Sequence, residues 1–386
     1  MRVAILGQYP LDPDRLLGGP EAALLYLQEG LRQFCDLELH IITCIPGLAA
    51  AQTAYYDSAT IRYLPRGRLG RLTWHLREVR RMLCELEEIQ PDIVHGQGCG
   101  LYAGAALASR RPAVVTAHGI FGEEAKLYTR WPAKFRGWLD SAYERWIVQR
   151  TRHLIAISPY VSRVYDGLIR GNMYLVENPC DPRYFELERH SLPGRLLLPG
   201  AVIPRKGVLP LLRALPTILA ALPDAHLRVA GATTLHPDYY AACMAEVAQL
   251  GLDHAVTFLG HLSQEEMLNE YASATAMVLP SFQETAPIVI SQAMACALPI
   301  VATDVGGVAN MIEDGVSGTI LPAPKPPEGE PEALARALIG ILSQPERAIE
   351  MAQCARAQAR ARFAPDIVAQ RTYEVYHRVL ASGGKA

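Results

Sequence analysis

The chain has 386 residues, enough for about two domains that each bury their own core. Lys and Arg number 37 against 39 Asp and Glu, and this balance argues against a nucleic-acid-binding protein. The eight cysteines form no CxxC pair and no metal-ligand spacing, and no apolar run approaches the roughly 18 residues of a membrane-spanning helix. The N-terminal apolar run is too short for a signal peptide. We therefore expect a cytoplasmic protein that at most lies on the inner face of the membrane.

Short apolar runs alternate with helical patterns as far as residue 178. Val, Ile and Leu fill both faces of these runs, as in parallel strands that helices cover on both sides. The runs are VAIL, LELHIIT, IRYL, DIVHG, AVVTAHG, HLIAIS and MYLVEN. This alternation predicts a doubly wound sheet, in which ligands bind beyond the carboxyl ends of the strands.

The first loop, GQYPLDPDRLLGGPEAALLYL, follows the run VAIL. Gly18 and Gly19 are predicted to begin the next helix and to leave its backbone N–H groups room to meet a ligand. The loop lacks the GxGxxG fingerprint, so a nicotinamide enzyme is poorly supported. Asp12 and Asp14 form a DPD sequence like a metal-binding DxD pair, but its prolines favour turn chemistry, and we predict no metal site.

His118 follows the run AVVTA, beyond the expected carboxyl end of a strand. A single histidine is more often a core or surface residue than a functional one. Its position nevertheless makes His118 a candidate for a ligand site.

A second series of runs follows residues 177–194, ENPCDPRYFELERHSLPG, whose prolines and charges predict an inter-domain linker. The runs are RLLLPG, HLRVAG, VTFLG, AMVLPS, PIVATD and GTIL. They predict a second doubly wound sheet, and the segment after Pro365 predicts one more helix that crosses back to the first domain.

Arg205, Lys206 and Gly207 lie between the run RLLLPG and the next helical pattern. Two adjacent cations and a glycine at a strand-to-helix turn suit a diphosphate, which Arg grips bidentately and Lys meets as a point charge. Taken alone, such a turn is more often merely solvated.

The segment SFQETAPIVISQAMA places Glu284 just before a predicted helix and Gln292 inside it. Thr285 is the predicted N-cap, and Pro287 is expected in the first turn, where its missing N–H costs nothing. The unpaired N–H groups of such a helix form an anion site at a strand end. A capped helix with a solvated Gln remains an equally good interpretation.

All four tryptophans lie in the first half of the chain, near two windows that each contain seven cations, residues 62–81 and 126–152. Interleaved basic and aromatic residues are typical of a surface that meets anionic lipid. The alternative is that the tryptophans pack in the core while the arginines are solvated.

These segments, in this order, resemble the retaining family-4 glycosyltransferases of the GT-B fold, over nearly the whole chain. Each matching motif is weak alone, but the ordered set is specific. The matching residues are Gly18 and Gly19, His118, Ser158, Asn178 and Asp181, Lys206 and Gly207, and Glu284 with Gln292.

Four positions depart from the family pattern. Gln292 replaces a second Glu that typically holds the ribose hydroxyls, and an amide loses the strength of a charge-assisted hydrogen bond. Ala201 replaces an Arg, for which Arg205 is a candidate substitute. Asn310 replaces a frequent Glu, and Ala297 replaces a frequent helix-end Gly.

The resemblance implies an α/β protein with two Rossmann-like domains that face each other across a cleft. It implies an acceptor-binding domain at 1–182, a nucleotide-sugar-binding domain at 183–365 and a returning helix at 366–386. It also implies catalytic roles for His118, Lys206 and Glu284. The implied donor-binding residues are Gly18, Gly19, Arg205, Lys206, Glu284, Thr285, Ala286, Pro287, Ile288 and Gln292.

The implied reaction is metal-independent transfer of a sugar from a nucleotide-diphosphate donor, with retention, to a glycan or lipid-linked acceptor in cell-surface polysaccharide or glycolipid synthesis. The donor is a substrate, and no cofactor is expected. Two alternatives remain open: a catalytically silent sugar-nucleotide-binding relative that supports a partner, and an epimerase or phosphorylase of the same fold.

Overall fold

The computed structural model describes residues 1–56, 59–67, 73–128 and 130–382. The chain forms two compact units. The first comprises Met1–Pro13, Leu17–Pro179 and Pro365–Ala386, and the second comprises Asp14–Leu16 and Cys180–Ala364. The assignment of acceptor and nucleotide-sugar binding to two domains stays a prediction.

The first unit contains a sheet with the strand order β3-β4-β2-β1-β5-β6-β7-β8. All neighbouring pairs in this order are parallel except β3 and β4, which are antiparallel. The strands are β1 Arg2–Leu6, β2 Glu38–Pro46, β3 Gln52–Tyr56, β4 Ala59–Arg66, β5 Ile93–Gln97, β6 Ala113–Ala117, β7 His153–Ala156 and β8 Asn172–Leu175.

The helices of the first unit include the C-terminal one, which packs against the first helix. They are α1 Gly19–Leu31, α2 Leu76–Ile89, α3 Leu101–Ala108, α4 Phe121–Ala125, α5 Trp131–Arg150, α6 Pro159–Tyr165 and α14 Pro365–Ser382. Gly30 permits this packing, because a Cβ there would lie 2.2 Å from the carbonyl oxygen of Pro365.

The second unit contains a parallel sheet with the strand order β11-β10-β9-β12-β13-β14. The strands are β9 Arg195–Pro199, β10 His226–Ala230, β11 Val256–Gly260, β12 Ala276–Leu279, β13 Ile300–Thr303 and β14 Thr319–Leu321. The helices are α7 Arg183–Glu186, α8 Val208–Ala221, α9 Pro237–Gln249, α10 Gln264–Ser273, α11 Ile288–Ala295, α12 Pro331–Ser343 and α13 Pro345–Phe363.

The predicted α/β class is confirmed, and every apolar run named above coincides with a strand. These runs were recognisable because their side chains are buried on both faces of the sheet, as in Ile5 and Leu6 of β1 or Leu197 and Leu198 of β9. Strand β3 was not predicted. Its five residues QTAYY are mostly exposed and carry no apolar pattern, and it joins the sheet only at the β4 edge.

The segment predicted as a linker contains α7, and Tyr184 and Phe185 of this helix are buried. Separately, within the described residues no helix combines the length and apolarity that a bilayer crossing requires.

Candidate functional site

In the sheet of the second unit, the order in which strands are added reverses between β9 and β12. The chain runs from β9 outward through β10 and β11, and then returns to place β12 on the other side of β9. In parallel sheets ligands bind beyond the carboxyl ends of the strands at such a switch point. Lys206 follows β9 and Glu284 follows β12, so both predicted residues lie at this position.

A tight turn brings the two strand-end loops together. Residues Pro204–Lys206 form a short 3₁₀ turn, and Gly207 then adopts a left-handed φ of 66° before α8 begins. A Cβ on Gly207 would lie 2.0 Å from the carbonyl oxygen of Pro280. Only glycine satisfies both the dihedral angle and the close approach.

Glu284 lies between the two cations of the turn. Its Oε1 accepts a hydrogen bond from Lys206 Nζ at 2.6 Å and from Ser281 Oγ at 2.7 Å. Its Oε2 lies 3.3 Å from Nη1 of Arg205, which also donates to the carbonyl oxygen of Gln283 at 2.8 Å. We call Arg205, Lys206 and Glu284 the charged triad.

The electrostatics of the charged triad favour an ionised carboxylate. Burial alone would raise the pKa of Glu284, but the charges of Lys206 and Arg205 and the hydrogen bonds from Lys206 and Ser281 outweigh it and lower the pKa. The triad therefore carries one excess positive charge. A net cationic cluster at a strand end is suited to an anionic ligand such as a diphosphate.

The helix after Glu284 forms where it was predicted, but its N-cap is a different residue. Thr285 is not the N-cap; Pro287 is, with an extended ψ of 118°, and α11 starts at Ile288. The residue before a proline is disfavoured in the helical region, so Ala286 cannot easily continue a helix into Pro287. Thr285, Pro287 and Ile288 are buried.

Gln292 lies on α11, and its side-chain oxygen accepts a hydrogen bond from the Tyr271 hydroxyl at 3.2 Å. This contact engages the carbonyl end of the amide. The side chain is half-buried, and its amide nitrogen can act only as a donor.

His118 lies in the first unit, in the loop after β6 and half-buried. Its Nε2 forms a hydrogen bond with Oε1 of Gln97, which ends the neighbouring strand β5. Burial lowers the pKa of His118 to about 4, and the nearby Asn178 side chain opposes this shift only in part. Gly18 and Gly19 are exposed, and α1 begins at Gly19 as predicted.

One departure from the family pattern, Ala297, has a structural consequence, whereas the contact recorded for Asn310 involves only its backbone. Ala297 adopts a left-handed φ of 51°, a conformation that favours glycine. The backbone oxygen of Asn310 accepts a hydrogen bond from Arg362 at 2.7 Å.

Sequence reasoning missed Ser281 and Gln97. Ser281 follows β12 by two residues and donates to Glu284, while Gln97 ends β5 and contacts His118. Both lie at carboxyl ends of strands, so the strand-end rule that selected His118 could also have selected them.

Two family models match the chain. "Glycosyltransferase Family 4" matches residues 17–184, and "Glycosyl transferases group 1" matches residues 193–344. The chain belongs to the family-4 glycosyltransferases. The family predicted from the ordered motifs is therefore confirmed.

One curated relative is the D-inositol 3-phosphate glycosyltransferase of Streptomyces griseus. It is 31% identical over 201 residues, which cover 50% of this chain and 41% of that protein. The chain thus spans less than half the length of this relative.

Solved structures show the same fold. Sucrose-phosphate synthase of Thermosynechococcus elongatus has a TM-score of 0.83 and 20% identity, with 99% of each chain covered. Anabaena HepE in complex with UDP-glucose has a TM-score of 0.74 and 19% identity, with 98% of this chain and 100% of that chain covered. The predicted GT-B fold is confirmed.

Proposed function

We propose that this chain transfers a sugar from a nucleotide-diphosphate donor to an acceptor hydroxyl, with retention of anomeric configuration. The observation that carries the proposal is the charged triad at the switch point of the second unit. Arg205 and Lys206 are held there by a buried carboxylate and leave one net positive charge.

In this proposal Arg205 and Lys206 bind the diphosphate. When the bond between the anomeric carbon and the diphosphate breaks, negative charge develops on the leaving phosphate oxygen. Preorganised cations stabilise that charge without further rearrangement. Glu284 and the backbone of residues 285–288 hold the sugar, and His118 serves the same reaction.

The proposal assigns no metal or cofactor to the reaction. Two side-chain cations supply the counter-charge that a divalent ion supplies elsewhere. The donor is proposed to be a UDP-linked sugar, because HepE, which has the same fold, is in complex with UDP-glucose.

Gln292 is proposed to meet the ribose diol. The Tyr271 hydroxyl engages its carbonyl oxygen, and the amide nitrogen is the group assigned to a ribose oxygen. Gln292→Ala should then weaken binding of UDP and leave binding of inorganic pyrophosphate unchanged in calorimetry. Equal losses for both ligands would show that Gln292 only supports the helix.

The proposed acceptor is a glycan or a lipid-linked glycan in cell-surface polysaccharide or glycolipid synthesis at the inner face of the membrane. Helix α5 supports this choice: Trp131 is 73% exposed and Trp138 is 64% exposed. Phe135 lies between them, with ring centroids at 5.6 Å and 6.1 Å. We call these three residues the aromatic stripe; Lys134 on the same helix is also exposed.

The other two tryptophans are packed together. Trp74 and Trp146 contact Tyr143, with ring centroids at 4.9 Å and 5.9 Å. The core interpretation is thus wrong for Trp131 and Trp138. Part of the first basic window, residues 68–72 with Arg68 and Arg71, lies outside the described residues.

Vesicle sedimentation tests the membrane contact. Vesicles rich in anionic lipid should bind the chain in a salt-sensitive manner, and Trp131→Ala with Trp138→Ala should weaken binding. Trp146→Ala serves as the control. Absence of binding at low salt would favour an acceptor free in solution.

The reaction itself is tested with UDP-, GDP- and ADP-linked sugars. Release of the nucleoside diphosphate, with a product whose anomeric configuration matches that of the donor, supports a retaining transferase. Donor binding without turnover would indicate a catalytically silent relative. Donor epimerisation or phosphorolysis would identify the other alternative.

A further inference from the structure

A chain of hydrogen bonds inside the first unit ends at His118. Nε2 of His118 bonds to Oε1 of Gln97, and Nε2 of Gln97 lies 3.2 Å from Nε2 of His95. Nδ1 of His95 lies 2.8 Å from the hydroxyl of Tyr376, on the C-terminal helix α14. His95, Gln97 and Tyr376 are buried, so bulk water does not compete for these bonds.

The donors and acceptors in this series of hydrogen bonds are fixed, because the oxygen of the Gln97 amide can only accept and its nitrogen can only donate. Its oxygen only accepts, so Nε2 of His118 must carry a hydrogen. Its nitrogen only donates, so Nε2 of His95 must accept, and the hydroxyl of Thr116, which lies 2.7 Å from the same Nε2, can donate to it as well. The hydrogen of the His95 ring then lies on Nδ1. That Nδ1–H then donates to the hydroxyl oxygen of Tyr376.

The pattern requires the His95 ring to be neutral, and the surroundings of both rings favour the neutral forms. Burial lowers the pKa of His95 to about 3, with a further lowering from His118. Burial also lowers the pKa of His118 to about 4. At neutral pH each ring therefore has one N–H and one lone pair.

The lone pair of His118 then belongs to Nδ1. This atom is buried and makes no hydrogen bond of ordinary length and angle. His118 and Asn178 line a cavity of about 20 Å³, which is room for a single water molecule. A buried acceptor without a partner is costly, so an O–H group of a water molecule or of a bound substrate is expected to satisfy it.

We propose that Tyr376, His95 and Gln97 are positioning residues that hold His118 in the Nε2–H tautomer, with Nδ1 as the acceptor for a substrate hydroxyl. The proposal rests on the proposed function, in which His118 serves sugar transfer. It gives the C-terminal helix a chemical role in addition to its packing against α1.

Nitrogen-15 NMR of histidine-labelled protein reads the tautomers directly and needs no donor sugar. The His118 signals are identified by their loss in His118→Gln. In the wild type at pH 8, His118 should carry its hydrogen on Nε2 and His95 on Nδ1. In Gln97→Met, which keeps the length of the side chain but forms neither bond, His118 should populate both tautomers.

Gln97→Glu tests separately the hydrogen bond of Gln97 with His118 and its hydrogen bond with His95. A carboxylate only accepts, so His118 should keep its Nε2–H. Nε2 of His95 then faces a carboxylate and the rotatable hydroxyl of Thr116, so the hydrogen of this ring should shift from Nδ1 towards Nε2. A purely structural role of Gln97 would predict no such difference between the two rings.

Two tyrosines on α14 supply a matched pair. Tyr376→Phe removes the hydroxyl that accepts from His95 and should change the tautomer population of that ring. Tyr373→Phe removes a hydroxyl that donates to Asp36 at 2.8 Å, outside the chain of bonds, and should leave both rings unchanged.

Two results would overturn the proposal. One is a wild-type His118 with its hydrogen on Nδ1. The other is a Gln97→Met variant in which the tautomer of His118 changes but the sugar-transfer rate equals that of the wild type. If the tautomers behave as expected and the wild type transfers no sugar, the hydrogen-bond chain stands and the proposed function fails.

Discussion

The two units place different chemistry at the same topological position. The second unit places the charged triad beyond β9 and β12, where the strand order reverses. The first unit also reverses, between β1 and β5, and Gln97 ends β5 and contacts His118. One site is built from paired ions and the other from neutral hydrogen-bonding groups.

This difference follows from what each site can stabilise. Buried charges persist in the second unit because cations and a carboxylate compensate each other. In the first unit no cation or carboxylate is hydrogen-bonded to His95 or His118 among the described contacts, and burial keeps both rings neutral. A charged site suits phosphates, and a neutral site suits hydroxyl groups.

The largest expected effect is that of Glu284→Gln. This change leaves Arg205 and Lys206 without their buried counter-charge, and breaking a buried pair costs about 3–5 kcal/mol. Glu246→Gln is the control, because the partner of Glu246, Arg213, is 41% exposed and such pairs contribute about 1 kcal/mol or less. Urea unfolding measures both. Similar losses for the two variants would contradict the compensated charge of the triad.

Gly207→Ala tests the turn that assembles the triad. Gly207 and Gly251 share a φ of 66°, but only at Gly207 would a Cβ collide with a neighbouring carbonyl oxygen. A left-handed alanine costs about 1–2 kcal/mol, which is the loss expected for Gly251→Ala. Gly207→Ala should lose clearly more stability and should also weaken nucleotide binding. Equal losses would mean that the close approach to Pro280 is unimportant.

As the pH falls, the protonation of His95 and His118 should lower the stability of the protein before the protonation of Glu284 does. His95 and His118 have folded pKa values of about 3 and about 4, below the ordinary value of 6.5. The unfolded chain therefore binds more protons, and the free energy of unfolding should fall as the pH drops from about 6.5 to about 4.

The lowered pKa of Glu284 has its effect only below the ordinary value of 4.5. Denaturant unfolding at a series of pH values measures how steeply the free energy of unfolding falls with pH. This dependence should be weaker in His118→Gln than in the wild type, and above pH 5 it should be unchanged in Glu284→Gln. An unchanged slope in His118→Gln would contradict a neutral buried His118.

The smallest expected effect concerns the end of α11, the helix that follows the triad. Ala297 has a φ of 51°, where glycine is free of strain, so Ala297→Gly should stabilise the chain by about 1 kcal/mol. Ala295 is the last residue of α11, and Ala295→Gly should destabilise by about 0.5–1 kcal/mol. Thermal unfolding shows whether each variant is more or less stable than the wild type. A loss of stability in Ala297→Gly would contradict strain at that position.

Sequence patterns predicted what depends on local burial. The strands were found because buried parallel strands are continuous apolar runs. Lys206, Glu284 and His118 were selected as site residues because they follow such runs, and their roles stay predictions. Strand β3 was not predicted, because it pairs with β4 through backbone hydrogen bonds and its residues QTAYY stay mostly exposed. The N-cap of α11 was misplaced because the effect of Pro287 on the preceding residue outweighs the capping preference of Thr285.

Contacts between distant residues could not be read from the sequence. Lys206 and Glu284 were selected separately, and their 2.6 Å pairing joins residues 78 positions apart. Tyr376 and His95 are 281 positions apart, and neither lies in a motif. No periodicity encodes such pairs, because they depend on how the sheet and the C-terminal helix pack.

Calorimetric titration of Lys206→Met with UDP, GDP and ADP tests the charged site most directly. A charged hydrogen bond contributes about 1.5–3 kcal/mol, so affinity for the preferred nucleotide should fall by roughly 10-fold or more. Lys325→Met removes the same side chain from an exposed position in the same unit and should bind as the wild type does. Unchanged affinity of Lys206→Met for every nucleotide that the wild type binds would contradict the account, as would a wild type that binds none of the three.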